Sequence, residues 1–477
     1  MNLFATRTPA AMAAACLLFG STVTSAAEQV RLSQASGLGS TQGFAYNASA
    51  AYNPDLDQVL VVWWGRDNQL NSEPGRNLVA GRLVDARSGA PRGPVVRLDV
   101  NAGGVSSYTP KAVYNPIEQE YLVVWTIETI ATHSEIFVQR YAANTLQPLL
   151  PQPRQISAMG GIDDQNFSAF APAVAFNQER NEYLVAWVGA DSRVGMTDEQ
   201  RDVFIQRLDG RDSGEVGIDD FRISSAASAD ASRGVYAPYG IDVAYSPLNH
   251  NYLVVWTADD AGAGLADNEF EIFGQLIHGA TSVETGADDA RLSTTGPNGN
   301  EFFDAEQPTV VAEDANFAVA YRADTVQGFK EILATKVGGT GGTTFGGQKR
   351  LTFTTAGDAQ WPELAIDPAT GEVLVAFQAR EVVGSDPVFE KEVFVQRAST
   401  VLNPIGSSQR FSTLGPDGST SFGPAEGVSI VPIGLDDGFF VAWSGDHDQG
   451  GQIDNEFEVF GRSSTPGPFF KDGFDDL

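Results

Sequence analysis

Tyr121-Leu122-Val123-Val124-Trp125 is one of seven copies of an apolar segment ending in an aromatic residue, and the spacing of the copies decides the architecture. The segment recurs as Leu60–Trp63, Tyr183–Trp187 and Tyr252–Trp256, then more loosely as Phe317–Tyr321, Val373–Phe377 and Phe439–Trp443. Successive aromatic ends are 62 (125−63), 62 (187−125), 69 (256−187), 65 (321−256), 56 (377−321) and 66 (443−377) residues apart. That period is longer than helical repeats and suits a multi-stranded propeller blade.

Each copy belongs to a larger unit. A Pro-containing apolar stretch precedes it, as in Pro110–Tyr114, Pro172–Phe176, Pro308–Ala312, Pro362–Ile366 and Pro424–Ile430, with looser versions at Ala48–Tyr52 and Pro238–Tyr245. Several of these end in turn formers such as Asn53-Pro54, Asn115-Pro116, Ser246-Pro247 and Asp367-Pro368, which predicts a hairpin between the first two strands. A polar loop and a third segment follow, and then a fourth short strand is expected at Arg97-Leu98, Gln155-Ile156-Ser157, Arg222-Ile223-Ser224, Arg291-Leu292-Ser293, Arg350-Leu351-Thr352 and Arg410-Phe411-Ser412.

Four strands in each of seven units predict an all-β fold, a seven-bladed β-propeller over residues 28–464. The second strands are apolar on consecutive residues, as expected when neighbouring blades cover both faces of each sheet. The seventh unit ends without an Arg-Leu-Ser strand, while Val30-Arg31-Leu32-Ser33 precedes the first unit. The N-terminal strand is therefore expected to complete the last blade and leave no open edge at the joint.

Residues 1–27 carry one charged side chain, Arg7, then the apolar run Ala10–Gly20 and the small residues Ser25-Ala26-Ala27, the pattern of a secretory signal peptide. The only cysteine, Cys16, lies inside it, so residues 28–477 offer no disulfide and no thiolate site. No other apolar run approaches the roughly 20 residues of a transmembrane helix. The expectation is an exported monomer, secreted or periplasmic, with residues 465–477 as either a sorting or surface-retention tag or a frayed end. Sixty-one acidic against 30 basic residues give a formal charge of −31, which argues against nucleic acid or an anionic membrane as partner.

The acidic residues recur at two places. Between the Trp segment and the third strand, unit four carries Asp259, Asp260, Asp267, Glu269 and Glu271; unit seven carries Asp446, Asp448, Asp454, Glu456 and Glu458 without a gap in the alignment; and unit three carries Asp191, Asp198 and Asp202. Clustered carboxylates on a Gly-rich turn suit Ca²⁺, which takes 6–8 oxygen ligands, although the spacing is not that of an EF-hand; a solvated acidic loop is the other reading. The third strand itself opens on Glu135, Asp202, Glu271, Glu331, Glu392 and Glu458, with Leu78 the single departure. Repetition in nearly every unit predicts a scaffold role, such as pairing with the recurring Arg of the fourth strand.

Catalytic signals are sparse. His133, His250, His278 and His447 share no metal-ligand spacing and read as surface or turn histidines, and there is no nucleophile elbow or phosphate loop. The repeat unit resembles poorly characterised secreted bacterial proteins regarded as β-propellers, a resemblance that covers Glu28 to about Gly461 and implies a fold and an extracellular setting but no activity. The favoured reading is a non-catalytic binding or scaffold propeller that presents loops to a glycan or an extracellular protein. The alternative is a polysaccharide hydrolase or lyase at the mouth of the central channel. Arg66-Asp67, Arg322, Lys330 and Arg380-Glu381 break the repeat, but along the sequence they are scattered and suggest no mechanism.

Overall fold

The computed structural model describes residues 28–464 except 36, 38, 71–74, 101–104, 131–132, 162–165, 227–233, 237–239, 355–357, 383–388, 416–420, 435–437 and 448–454. The expected signal peptide and tail lie outside the described residues. Seven antiparallel sheets form the molecule. The inner strand of each packs against the inner strand of the next, and blade seven closes on blade one, which makes a seven-bladed β-propeller. Val30–Arg31 is the outer strand of blade seven, with Val30 opposite Gly461 and Arg31 opposite Phe460. In blade four the inner strand is interrupted, and its two pieces, Gly234–Val235 and Ile241–Ser246, both pair with Asn251–Asp259.

The runs of consecutive apolar residues follow from where the cores lie. Among the described residues seven hydrophobic clusters form, each between two adjacent blades. Alternate residues of one strand enter different cores: Tyr121, Val123 and Trp125 face blade one, whereas Leu122 and Val124 face blade three. Trp125, Trp187 and Trp443 are wholly buried. The Asn-Pro turns form as expected, with the Asn53 side-chain oxygen accepting from the N–H groups of Asp55 and Leu56, and Asn115 doing the same for Ile117 and Glu118.

The fourth strands differ from the expectation. They lie upstream of the Arg-Leu-Ser motif and end at its Arg, as Glu215–Arg222, Glu284–Arg291, Thr344–Arg350 and Pro404–Arg410, and shrink to Val96–Arg97 and Arg154–Gln155 in blades one and two. The motif is instead a latch. In blade four, Glu271 accepts from Arg291 Nη2 (2.6 Å), the Ser293 hydroxyl and the Thr295 N–H (2.6 Å). Glu392 is held likewise by Arg410, Ser412 and Leu414 N–H, Glu331 by Arg350, Thr352 and Thr354, and Asp202 by Arg222 and Ser224. In the closing blade Glu458 takes Ser33 and the Ala35 N–H. Blade one inverts the arrangement: Leu78 replaces the acid, Asp99 replaces the serine, and Arg97 Nε donates to Asp99 at 2.7 Å.

These latches predict how stability varies with pH. Burial raises Glu135 to about 8 and Glu458 to about 7 against the pull of their donors; in blade two Gln155 stands where other blades have Arg. A carboxylate whose pKa is higher folded than unfolded keeps a proton that the unfolded chain has lost. Its contribution is complete below about pH 4.5 and disappears as pH rises through 7 to 8. Melting temperature should therefore decline from pH 5 to pH 8.5, and Glu135→Gln, which keeps an acceptor for the Met159 N–H, should flatten the curve. A flat wild-type profile would refute this account.

Candidate functional site

The inner strands carry a repeated distortion. Asn47, Thr109, Ala171, Gly240, Gln307, Trp361 and Gly427 occupy equivalent places in the seven blades, and all have left-handed φ, between 48° and 82°. In blades one, two, three, five and six one extra residue bulges there against the second strand, and in blade seven two do, between Pro424 and Val428. The prolines of the sequence repeat, Pro110, Pro172, Pro308 and Pro362, directly follow the left-handed residue, where a missing N–H costs the ladder nothing. A bulge re-aims its side chains, and here they line a central cavity of about 590 Å³.

Two levels of the wall can be read from the bulge. Two residues after it stand Ser49, Lys111, Ala173, Asp242, Thr309, Glu363 and Ser429, of which Lys111 and Glu363 line the cavity. Asp242 of blade four accepts from the Thr309 hydroxyl (3.1 Å) and Val310 N–H (2.8 Å) of blade five. Burial and the nearby Asp242 charge push Glu363 up to about 7, while the Lys111 ammonium pulls it down; burial raises Asp242 as well.

One residue before the bulge the wall divides. Blades one to three carry half-buried aromatics there, Tyr46, Tyr108 and Phe170, and blades five to seven carry Glu306, Gln360 and Glu426; of these, Tyr108, Phe170 and Glu426 line the cavity itself. The aromatic side continues outward as an arc, with ring centroids 5.2 Å apart for Phe457–Tyr46, 5.7 Å for Tyr46–Trp64 and 5.2 Å for Trp64–Tyr108. On the opposite side Lys330 bonds Glu306 at 2.9 Å, Arg322 reaches Glu306 at 3.2 Å and Asp358 at 3.7 Å, and Arg380 meets the other Asp358 oxygen at 3.3 Å. The irregular cations scattered in the sequence are thus brought together: Arg322, Lys330 and Arg380 share partners on one side of the mouth. Arg66 lies over the Phe44 ring at 5.4 Å on the aromatic side. Glu381 lies where no side chain is described.

The acidic loops bind backbone N–H groups, their own and those of neighbouring loops. In blade four Asp259 accepts from Asn268 N–H, Asp260 from Gly262 N–H, and the buried Glu269 from Ala266 and Gly299 N–H, while Asp267 is exposed. In blade three Asp191 binds Arg193 and the Gly160 N–H, Asp198 is exposed, and Asp202 belongs to the latch. In blade seven Asp446 accepts from Asn455 N–H and Glu456 from Gly39 N–H; Asp448 and Asp454 lie outside the described residues. Among the described residues no group of three or more acidic, His or Cys side chains is placed to hold a metal ion. Glu271, Asp202 and Glu458 face the fourth strand, because their oxygens are needed there. His447 corrects the reading of surface histidines: it is buried, with Nδ1 accepting from the Gly415 N–H at 3.1 Å and Nε2 3.0 Å from the Gln29 amide.

No family model matches the chain, and no curated protein matches it. Among solved structures it is similar to a Hadza microbial sialidase (11% identity, TM-score 0.46, covering 85% of this chain and 76% of that one). It is also similar to a Penicillium chrysogenum α-L-arabinanase complexed with arabinobiose (11%, TM-score 0.44, 91% and 98%) and a Trypanosoma rangeli sialidase (10%, TM-score 0.44, 78% and 55%). No helix among the described residues is long and apolar enough to cross a membrane.

Proposed function

We propose that this is a secreted carbohydrate-binding propeller that takes a glycan across the mouth of its central channel. The observation that carries the reading is the divided mouth. Half-buried aromatic faces on blades seven, one and two stand opposite amide and charged groups on blades five and six, over a cavity large enough for a sugar unit. Sugars present apolar ring faces and hydroxyl edges, and this wall offers a partner for each. Trp361, half-buried in the cavity lining, is a natural platform.

Thermal unfolding and affinity electrophoresis against a polysaccharide panel test the proposal. At least one polysaccharide should raise the melting temperature, and Trp361→Ala should weaken it about tenfold or more, the loss of one well-packed aromatic contact. Absence of binding to every polysaccharide would refute the reading. A hydrolytic role is favoured by one observation, the Glu363 carboxyl in the cavity lining with the Asp242 carboxyl near enough to raise its pKa, since glycoside hydrolysis uses a pair of carboxyls. Released reducing ends, abolished by Glu363→Gln with binding retained, would establish it.

A further inference from the structure

Between blades six and seven, beside the channel mouth, lies a second cavity of about 280 Å³ lined by Arg380, Lys391, Phe422, Phe457 and Asp446 among others. The inner strand Gly423–Ile433 separates it from the channel: Gly423 and Pro424 line one cavity, Glu426 and Gly427 the other. The polar groups of this pocket are unequally occupied. Asp446 spends one oxygen on the Asn455 N–H. Arg380 uses Nε on Asp358, and among the described residues its two terminal nitrogens have no partner; the side chain is 57% exposed. The Lys391 ammonium makes no hydrogen bond or ion pair among the described residues, although the side chain is only partly exposed.

An ammonium left unpaired within a wall is costly unless something anionic joins it, because burial disfavours the charged form. Lys391 shows that cost: burial lowers its pKa, with Arg380 and Arg322 adding to the effect against Asp358 and Glu426. The planar fork of a guanidinium matches two carboxylate oxygens, and a neighbouring ammonium supplies a third donor. Half-buried Phe422 and Phe457 line the same pocket and add apolar surface beside these donors.

We propose that this pocket binds the carboxylate of an acidic sugar residue, with Arg380 and Lys391 as its donors, so that the glycan at the channel mouth is a uronic-acid polymer. This rests on the glycan reading above and names its ligand class. The formal charge of −31 makes the local geometry decisive, because the field of the whole protein opposes any polyanion.

The test compares polygalacturonate with its methyl ester, which has the same backbone without the charge, on the full chain at low ionic strength. The acid should bind about tenfold or more tighter than the ester. Arg380→Gln with Lys391→Met should bring the acid down to the level of the ester, and Lys391→Met alone, which leaves the groups of the mouth in place, should weaken the acid while leaving ester affinity and melting temperature unchanged. Equal binding of the two polymers, or a double variant that weakens both alike, would overturn this inference and leave glycan binding intact. Failure of both polymers and of the neutral panel would overturn glycan binding itself. Dextran sulfate bound as tightly as polygalacturonate, and lost in the same variant, would reassign the pocket to sulfate and overturn the carboxylate.

Discussion

Removing Val30–Ser33 should destabilise the protein by about 5 kcal/mol, a large part of the 5–15 kcal/mol typical of a folded domain. Three losses contribute. Leu32 is fully buried in the core between blades seven and one, and deleting such a side chain costs about 2–5 kcal/mol. Glu458 loses the Ser33 hydroxyl, and a buried acceptor stripped of its donor costs about 1–3 kcal/mol. The strand Phe457–Ser463 becomes an unpaired edge, an invitation to aggregate. Leu32→Ala, which keeps the strand, should cost about 3 kcal/mol without aggregation. Chemical denaturation and size-exclusion chromatography measure both effects; an undiminished midpoint for the deletion would mean that the joint contributes nothing.

The second large effect lies in the latches. Glu392→Ala leaves the Ser412 hydroxyl, the Leu414 N–H and Arg410 without their acceptor, and breaking a buried charged cluster from one side costs about 3–5 kcal/mol. Blade one provides the sharper test. Leu78→Glu should be as damaging, because it buries a carboxylate beside Asp99 where no serine donates. Leu78→Glu combined with Asp99→Ser rebuilds the arrangement of the other blades and should recover most of the loss. An additive double-mutant cycle would show that the two positions do not form the latch.

The blades were legible because their signals are repeated. Seven aromatic ends at similar spacing, the Asn-Pro turns and the displaced Arg-Leu-Ser strand each recur or are visibly missing once, so blade count and closure follow from the residues. The fourth strands were misplaced because Arg291-Leu292-Ser293 is conspicuous, whereas Glu284–Arg291 is mostly half-buried and polar with little pattern. The mouth was harder to read. Arg322 and Arg380 are 58 residues apart (380−322), and only the ring brings both to Asp358. The bulge had a signal, the proline one residue after Thr109, Ala171, Gln307 and Trp361, but a left-handed threonine or tryptophan is unexpected from propensity alone. The acidic loops carry a task that is not visible in their spacing: Asp259 and Glu269 each accept from neighbouring backbone N–H groups, which need acceptors.

The seven left-handed positions have a consequence for how such a molecule can change. The left-handed backbone is the same whether the residue is Asn, Thr, Ala, Gly, Gln or Trp, and the latches and interblade cores lie elsewhere in the blade. What the channel displays is thereby uncoupled from what keeps the ring intact. A new ligand can be accommodated by exchanging residues at the display positions one blade at a time, while the chassis beneath them stays as it is.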